Sequence, residues 1–195
     1  MHTPIAQRSP RSIQVWDPLV RIFHWTLVAG FIANLWLTED GGQAHEIIGY
    51  VVLAAVVIRL VWGFVGTRHA RFRDFVPGPG RLARYLGQAA RGREPRHIGH
   101  NPAGAVMMLV LMALMFLLGV SGWMMTLDRY WGAEWLEELH ESLANALLVL
   151  VAVHVLAALW SSVRHRENLV LAMLTGRKRP AGATDVDHAP VVDRR

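Results

Sequence analysis

The chain of 195 residues contains no cysteine. Disulfide staples, Cys-ligated zinc, iron–sulfur clusters and thioether-linked haem are therefore excluded, since each requires a thiol. Charge is scarce as well. Asp, Glu, Lys and Arg make up 18% of the residues against 53% hydrophobic, where a soluble domain carries about 25% and 45–50%. The scarcity is concentrated: residues 22–38, 103–127 and 142–163 hold no charged side chain, and 47–67 hold one, Arg59. A helix needs about 20 apolar residues to cross about 30 Å of hydrocarbon. An ordinary soluble domain is thus excluded. The fold class expected is all-α, an integral membrane four-helix bundle with spans over about 19–38, 45–67, 102–127 and 139–163. No span has a central Asp or Glu, which disfavours a metal transporter. His45-Glu46 and His140-Glu141 each open like a zinc-protease helix, but Gly49 and Ala144 stand where its second histidine is required.

What charge there is lies in alternate segments. The N-terminal lead, the loop 68–101 and the segment from 164 onward together hold 18 Lys and Arg, and the two intervening loops hold only Arg129. This is the positive-inside pattern, and it places both termini in the cytoplasm. The net charge of +5 then reads as topology and contact with the lipid bilayer, not as nucleic-acid binding. The opposite loops carry eight acids, among them Glu39, Asp40, Glu134 and Glu138. Such a face would steer a basic periplasmic carrier, although a solvated acidic surface is the plainer reading.

Residues 1–15 read as a disordered lead and 177–195 as a disordered cytoplasmic tail, leaving one membrane domain over 16–176. Span 1 itself directs insertion. Trp16, Trp25, Trp36, Trp62, Trp123, Trp131, Trp135 and Trp160 lie near span ends, as in an aromatic belt. Residues 81–91 suit a basic surface helix. Asn101 and Pro102 suit the cap and first position of span 3. Small residues, among them Gly30, Gly49, Gly119, Gly122 and Ala144, allow close helix approach or leave room for a flat cofactor.

Four of the ten histidines, His24, His45, His140 and His154, lie within or at the edge of spans, where an ionisable group is costly. His45 and His140 sit at the outer surface. His154 follows His140 by two heptads, about 21 Å deeper on the same bundle-facing stripe as Ala144, Leu147 and Val151. His45 can therefore face His140, and His24, one turn inside the opposite end, can face His154. Two His–His pairs at two depths suit two six-coordinate haems b, which move electrons and leave no open position for oxygen.

Residues 15–25 (VWDPLVRIFHW), 59–68 (RLVWGFVGTR), 99–104 (GHNPAG) and 165–169 (HRENL) resemble, in the same order, bacterial cytochrome b561-type proteins and the b-type cytochrome subunits of nickel–iron hydrogenases. The resemblance covers about 15–179. It implies a di-haem membrane cytochrome, with His24 and His154 on the inner haem and His45 and His140 on the outer. It also implies exchange of electrons between the quinone pool and a periplasmic cytochrome or membrane redox enzyme in the bacterial inner membrane. Arg59 either snorkels to the cytoplasm, pairs with a haem propionate or lines a quinone pocket. His69, His97 and His100 can frame a quinone site at the inner surface or be ordinary loop histidines. A second copy of the chain is an optional partner. The competing functions are direct quinone oxidoreduction of a small molecule such as superoxide and a haem-free membrane anchor.

Overall fold

The computed structural model describes residues 12–38 and 42–189. The expected disorder of residues 1–11 and 190–195, and the acids Glu39 and Asp40, lie outside the described residues. Four helices are long and apolar enough to cross a membrane: α1 (Pro18–Trp36), α2 (Gln43–Val65), α5 (Pro102–Met125) and α6 (Glu134–Arg164). Between them come α3 (Phe72–Phe75) and α4 (Pro79–Ala89), and α7 (Leu169–Thr175) follows. A 3-10 turn at Asp128–Tyr130 and two short strands, β1 (Ile13–Gln14) and β2 (Arg177–Lys178), complete the described elements.

Local chemistry sets the helix starts. Asn101 caps α5 by accepting the Gly104 N–H at 2.7 Å, with Pro102 in the first turn, as expected. Asp17 caps α1 in the same way through the Val20 N–H, ahead of Pro18. The α2 and α5 spans begin and end within about two residues of the sequence estimate. Helix α6 differs, since it starts at Glu134 instead of 139 and runs for 31 residues. That is about 46 Å at 1.5 Å per residue, more than a bilayer core. The sequence estimate stopped at the first charges; the helix continues through Glu134, Glu137 and Glu138 because acids suit a helix N-terminus.

Helix α1 packs on α2, α2 on α5 and α5 on α6; neither α1 nor α2 is closely packed on α6 among the described residues. The central core is Val56, Met115 and Leu147, wrapped by Phe23, Leu27, Phe31, Leu60, Leu118 and Val151. The outward residues are equally apolar, as with Ile58, Phe64, Val149, Leu156 and Val163, because lipid surrounds the bundle. On α6 the expected stripe faces inward: Leu147 is fully buried and His140, Ala144, Val151 and His154 are half-buried between exposed neighbours.

The two described chain ends meet on one face of the bundle, here called the terminal face. The expectation of a disordered lead and tail needs correction there. Ile13 pairs antiparallel with Lys178, and residues 177–189 lie folded over the loop between α2 and α5. Gly176 turns the chain into β2 with φ 78°, a left-handed conformation that glycine adopts without penalty. Val186 accepts from the Ile98 N–H and donates to the Arg96 carbonyl. Buried Arg96 bonds Glu167 at 2.5 Å and also pairs with Asp185, and Lys178 reaches Glu167 at 3.5 Å. Polar composition suggests disorder only when no counter-charge is supplied from elsewhere. Here the loop and α7 supply it. Trp16 is likewise not a belt residue. It is 6% exposed and sits in a second core with Val15, Val20, Ala70 and Ile98. Trp36, Trp131 and Trp160 are exposed, as a belt requires.

Candidate functional site

Each histidine pair bridges helices that do not pack closely. His45, on the third residue of α2, faces His140 of α6 with ring centroids 6.2 Å apart and planes 59° apart. Asn34 of α1 fixes the first turn of α2 by donating to the His45 carbonyl at 3.2 Å. Thr38 lies 3.5 Å from His45 Nδ1. On the other side, Ser121 Oγ lies 2.9 Å from His140 Nδ1. Gly122 brings α5 against the ring, since a Cβ there would stand 3.2 Å from His140 Cε1. Beside His45, one turn on, a Cβ at Gly49 would meet nothing within 4 Å. The imidazole edge is thus gripped by α5, and open room remains over α2.

His24 lies on α1 nearer the terminal face, with Trp25 edge-on at 5.2 Å. Its electrostatic partner is His154 of α6. His24 Nδ1 is buried without a hydrogen bond among the described residues. His45 and His140, expected as a pair, face each other ring to ring; His154 of α6 lies within electrostatic range of both His24 and His100.

Arg59 does not snorkel to water. It is 2% exposed, its Nη2 donates to the Ala70 carbonyl at 3.0 Å, and Phe72 lies under its guanidinium at 5.4 Å. Gly63 makes this possible, because the Phe72 ring occupies the place where a Cβ would stand. The carboxylate that acts on it electrostatically, Asp17, is already committed to Val20 N–H, Trp62 Nε1 and Thr67. Arg59 Nη1 is left buried without a partner among the described residues.

His69, His97 and His100 divide between two small cavities. One of about 50 Å³ is lined by His97, His165, Glu167 and Lys178. Another of about 10 Å³ is lined by His69, His100 and the tail residues 186–189. His100 is clasped by Trp16 and Phe75, each 4.7 Å away, and its Nδ1 is buried without a bond. Burial, then the positive charges of Arg59 and Lys178, push its pKa down to about 3, so it is neutral at pH 7. His69 bonds Asp187 at 3.0 Å.

Comparison with known proteins fits this arrangement. The family model described as prokaryotic cytochrome b561 matches residues 15–176. The chain belongs to this family. As a cytochrome b561 it is a multi-pass bacterial membrane protein of electron transfer, and membership implies haem b. Its relatives include proteins named probable Ni/Fe-hydrogenase B-type cytochrome subunit. That of Bradyrhizobium diazoefficiens is 25% identical, over 86% of this chain and 86% of its own length. That of Rhodobacter capsulatus is 25% identical, over 88% and 83%. That of Rhizobium leguminosarum bv. viciae is 24% identical, over 86% and 89%.

Sequence reasoning missed Ser121 and Thr38 of this cytochrome b561, and singled out Gly122 only as a place of close approach. Ser121 carried a signal, being the one hydroxyl in the run 103–125. Its partner lies on another helix, and spacing along α5 does not reveal it.

Proposed function

We propose that the chain is a di-haem cytochrome b that carries electrons across the inner membrane, between the quinone pool and a periplasmic or membrane redox partner. His24 and His154 ligate the inner haem on the terminal face, and His45 and His140 the outer haem on the far face. The observation that carries this reading is the 6.2 Å separation of His45 and His140 across two helices that do not pack closely. Imidazoles spaced in this way, with Ser121 at the Nδ1 of His140, would hold a haem b through their other nitrogens. Among the described residues no group of three or more His, Cys, Asp or Glu gathers to hold a bare ion. A facing imidazole pair is the donor set that a four-nitrogen macrocycle completes.

Haem b, when bound, supplies a one-electron iron couple. The protein's own residues do the rest. Ser121 and Thr38 stand at the Nδ1 side of His140 and His45, which would leave the other nitrogen of each ring to hold the group. The apolar core of Val56, Met115 and Leu147 separates the two pairs and excludes water. Arg59 Nη1 and His100 Nδ1, both buried and unbonded, are the donors available to a propionate or a quinone carbonyl on the terminal face. The names of the relatives couple a cytochrome of this kind to a redox enzyme, and the far face, with exposed Trp131, Trp135, Glu137 and Glu138, is where such an enzyme would dock.

The test is pyridine-haem quantification with a redox titration of the purified protein. Two haems per chain are expected, falling to one in His154→Ala and to one in His140→Ala. A colourless protein would make the chain a haem-free anchor. Two haems retained in His154→Ala would break the ligand assignment.

A further inference from the structure

Ser121 is 3% exposed in a helix otherwise lined with apolar side chains. Its hydroxyl has a single proton, and the Leu118 carbonyl lies 3.0 Å away on the preceding turn to accept it. Towards His140 Nδ1, at 2.9 Å, the same oxygen must then act as acceptor. A proton is thereby held on Nδ1, and the ring lone pair falls on Nε2. Gly122 presses the Nδ1–Cε1 edge of the ring from the same helix. Position and tautomer are therefore both set by one turn of α5.

We infer that Ser121 is a positioning residue that holds His140 as the Nδ1–H tautomer and raises the basicity of its Nε2, so that the outer redox centre has a lower potential than it would have without this hydroxyl. The inference rests on the ligand assignment proposed above. A ligand histidine whose second nitrogen donates a hydrogen bond is a stronger donor to the metal, and stronger donation favours the oxidised ion. Thr38 stands in the same relation to His45, with its oxygen 3.4 Å from the Asn34 carbonyl and 3.5 Å from Nδ1. These longer contacts make it the weaker of the two. At the terminal-face pair, His24 Nδ1 has no such oxygen among the described residues. The effect therefore belongs to one centre, and the other serves as an internal control.

The experiment is potentiometric titration of the full-length haem-loaded protein carrying Ser121→Ala, Ser121→Thr or Ser121→Val. The outer component is identified as the one that survives in His154→Ala. Ala and Val are expected to raise the outer midpoint and leave the inner one in place. The expected shift is a three- to tenfold change in the reduction equilibrium, up to about 59 mV for one electron. Thr, which keeps the hydroxyl in the shape of Val, is expected to restore the wild-type value. Loss of the outer haem from Val but not from Thr would equally support the inference, since only the hydroxyl differs. An unmoved outer midpoint in Ala and Val, a downward shift, or the same behaviour in Thr and Val would overturn it. Failure of the ligand assignment is read separately, from the haem count of His154→Ala.

Discussion

At the residue scale, Arg59 poses the sharpest question. A buried cation without a bonded carboxylate costs several kcal/mol, and Arg59 has one carbonyl and one aromatic face as partners among the described residues. Its retention makes sense if an anion or a developing negative charge sits nearby. Replacing it with leucine removes a buried positive charge from the terminal-face half of α2, where the inner haem is proposed. Arg59→Leu is expected to lower the inner midpoint by on the order of 1 kcal/mol of electrostatic energy, with the outer midpoint unmoved. Arg59→Lys should keep most of the wild-type value. Equal shifts at both centres would show that the effect is not local. Arg59 was legible as the one charge in a span. Its burial was not, because the Ala70 carbonyl and Phe72 reach it from the loop that follows α2, which hydropathy treats as solvated.

At the scale of elements, the four spanning helices follow from runs of apolar residues, and the inward stripe of α6 follows from the spacing of His140, Leu147 and His154. The terminal-face cap does not follow in this way. It joins residues 12–17, the loop after α2 and residues 165–189 through ion pairs between segments as far apart as Arg96 and Asp185. Taking Arg96 away leaves Asp185 uncompensated and Glu167 with Lys178 as its remaining cation. Arg96→Leu is expected to cost the cap about 3–5 kcal/mol and expose residues 177–189 to protease while the spans remain protected.

The cap should also loosen in acid. Burial, followed by the nearby His188, pushes His97 down to about 4. The unfolded cap therefore takes up a proton on His97 before the folded cap does. Stability from this group is intact above pH 6.5, falls as the pH drops from 6.5 towards 4, and levels off below. Burial alone would raise Glu167, but the bond to Arg96 and the charge of Lys178 bring it below its usual value. Its contribution is present above about pH 4.5 and is lost as the pH falls further. Protection of the 177–189 amides, taken relative to the intrinsic exchange rate at each pH, should fall between pH 6.5 and 4 while protection in α5 stays constant. Unchanged protection in the tail would mean that neutral, buried His97 does not help to hold it.

At the scale of the whole molecule, the absence of cysteine turns orientation into a clean experiment. The basic terminal face is expected in the cytoplasm and the acidic far face outside. In intact cells, Gly132→Cys should react with an impermeant maleimide. Arg91→Cys should react only after the membrane is opened. The reverse pattern would invert the bundle and place the proposed docking surface for the redox enzyme on the wrong side.

The four apolar runs and the four histidines at two depths could be read along the chain, because hydropathy and helical periodicity act over neighbouring residues and need no knowledge of the rest of it. Three-dimensional packing was needed to bring Ser121 to His140, to cap Arg59 with the following loop, and to fold residues 177–189 over that loop. Each of these depends on a partner brought from another helix or loop, and a hydrogen bond or ion pair leaves no period along the segment that makes it.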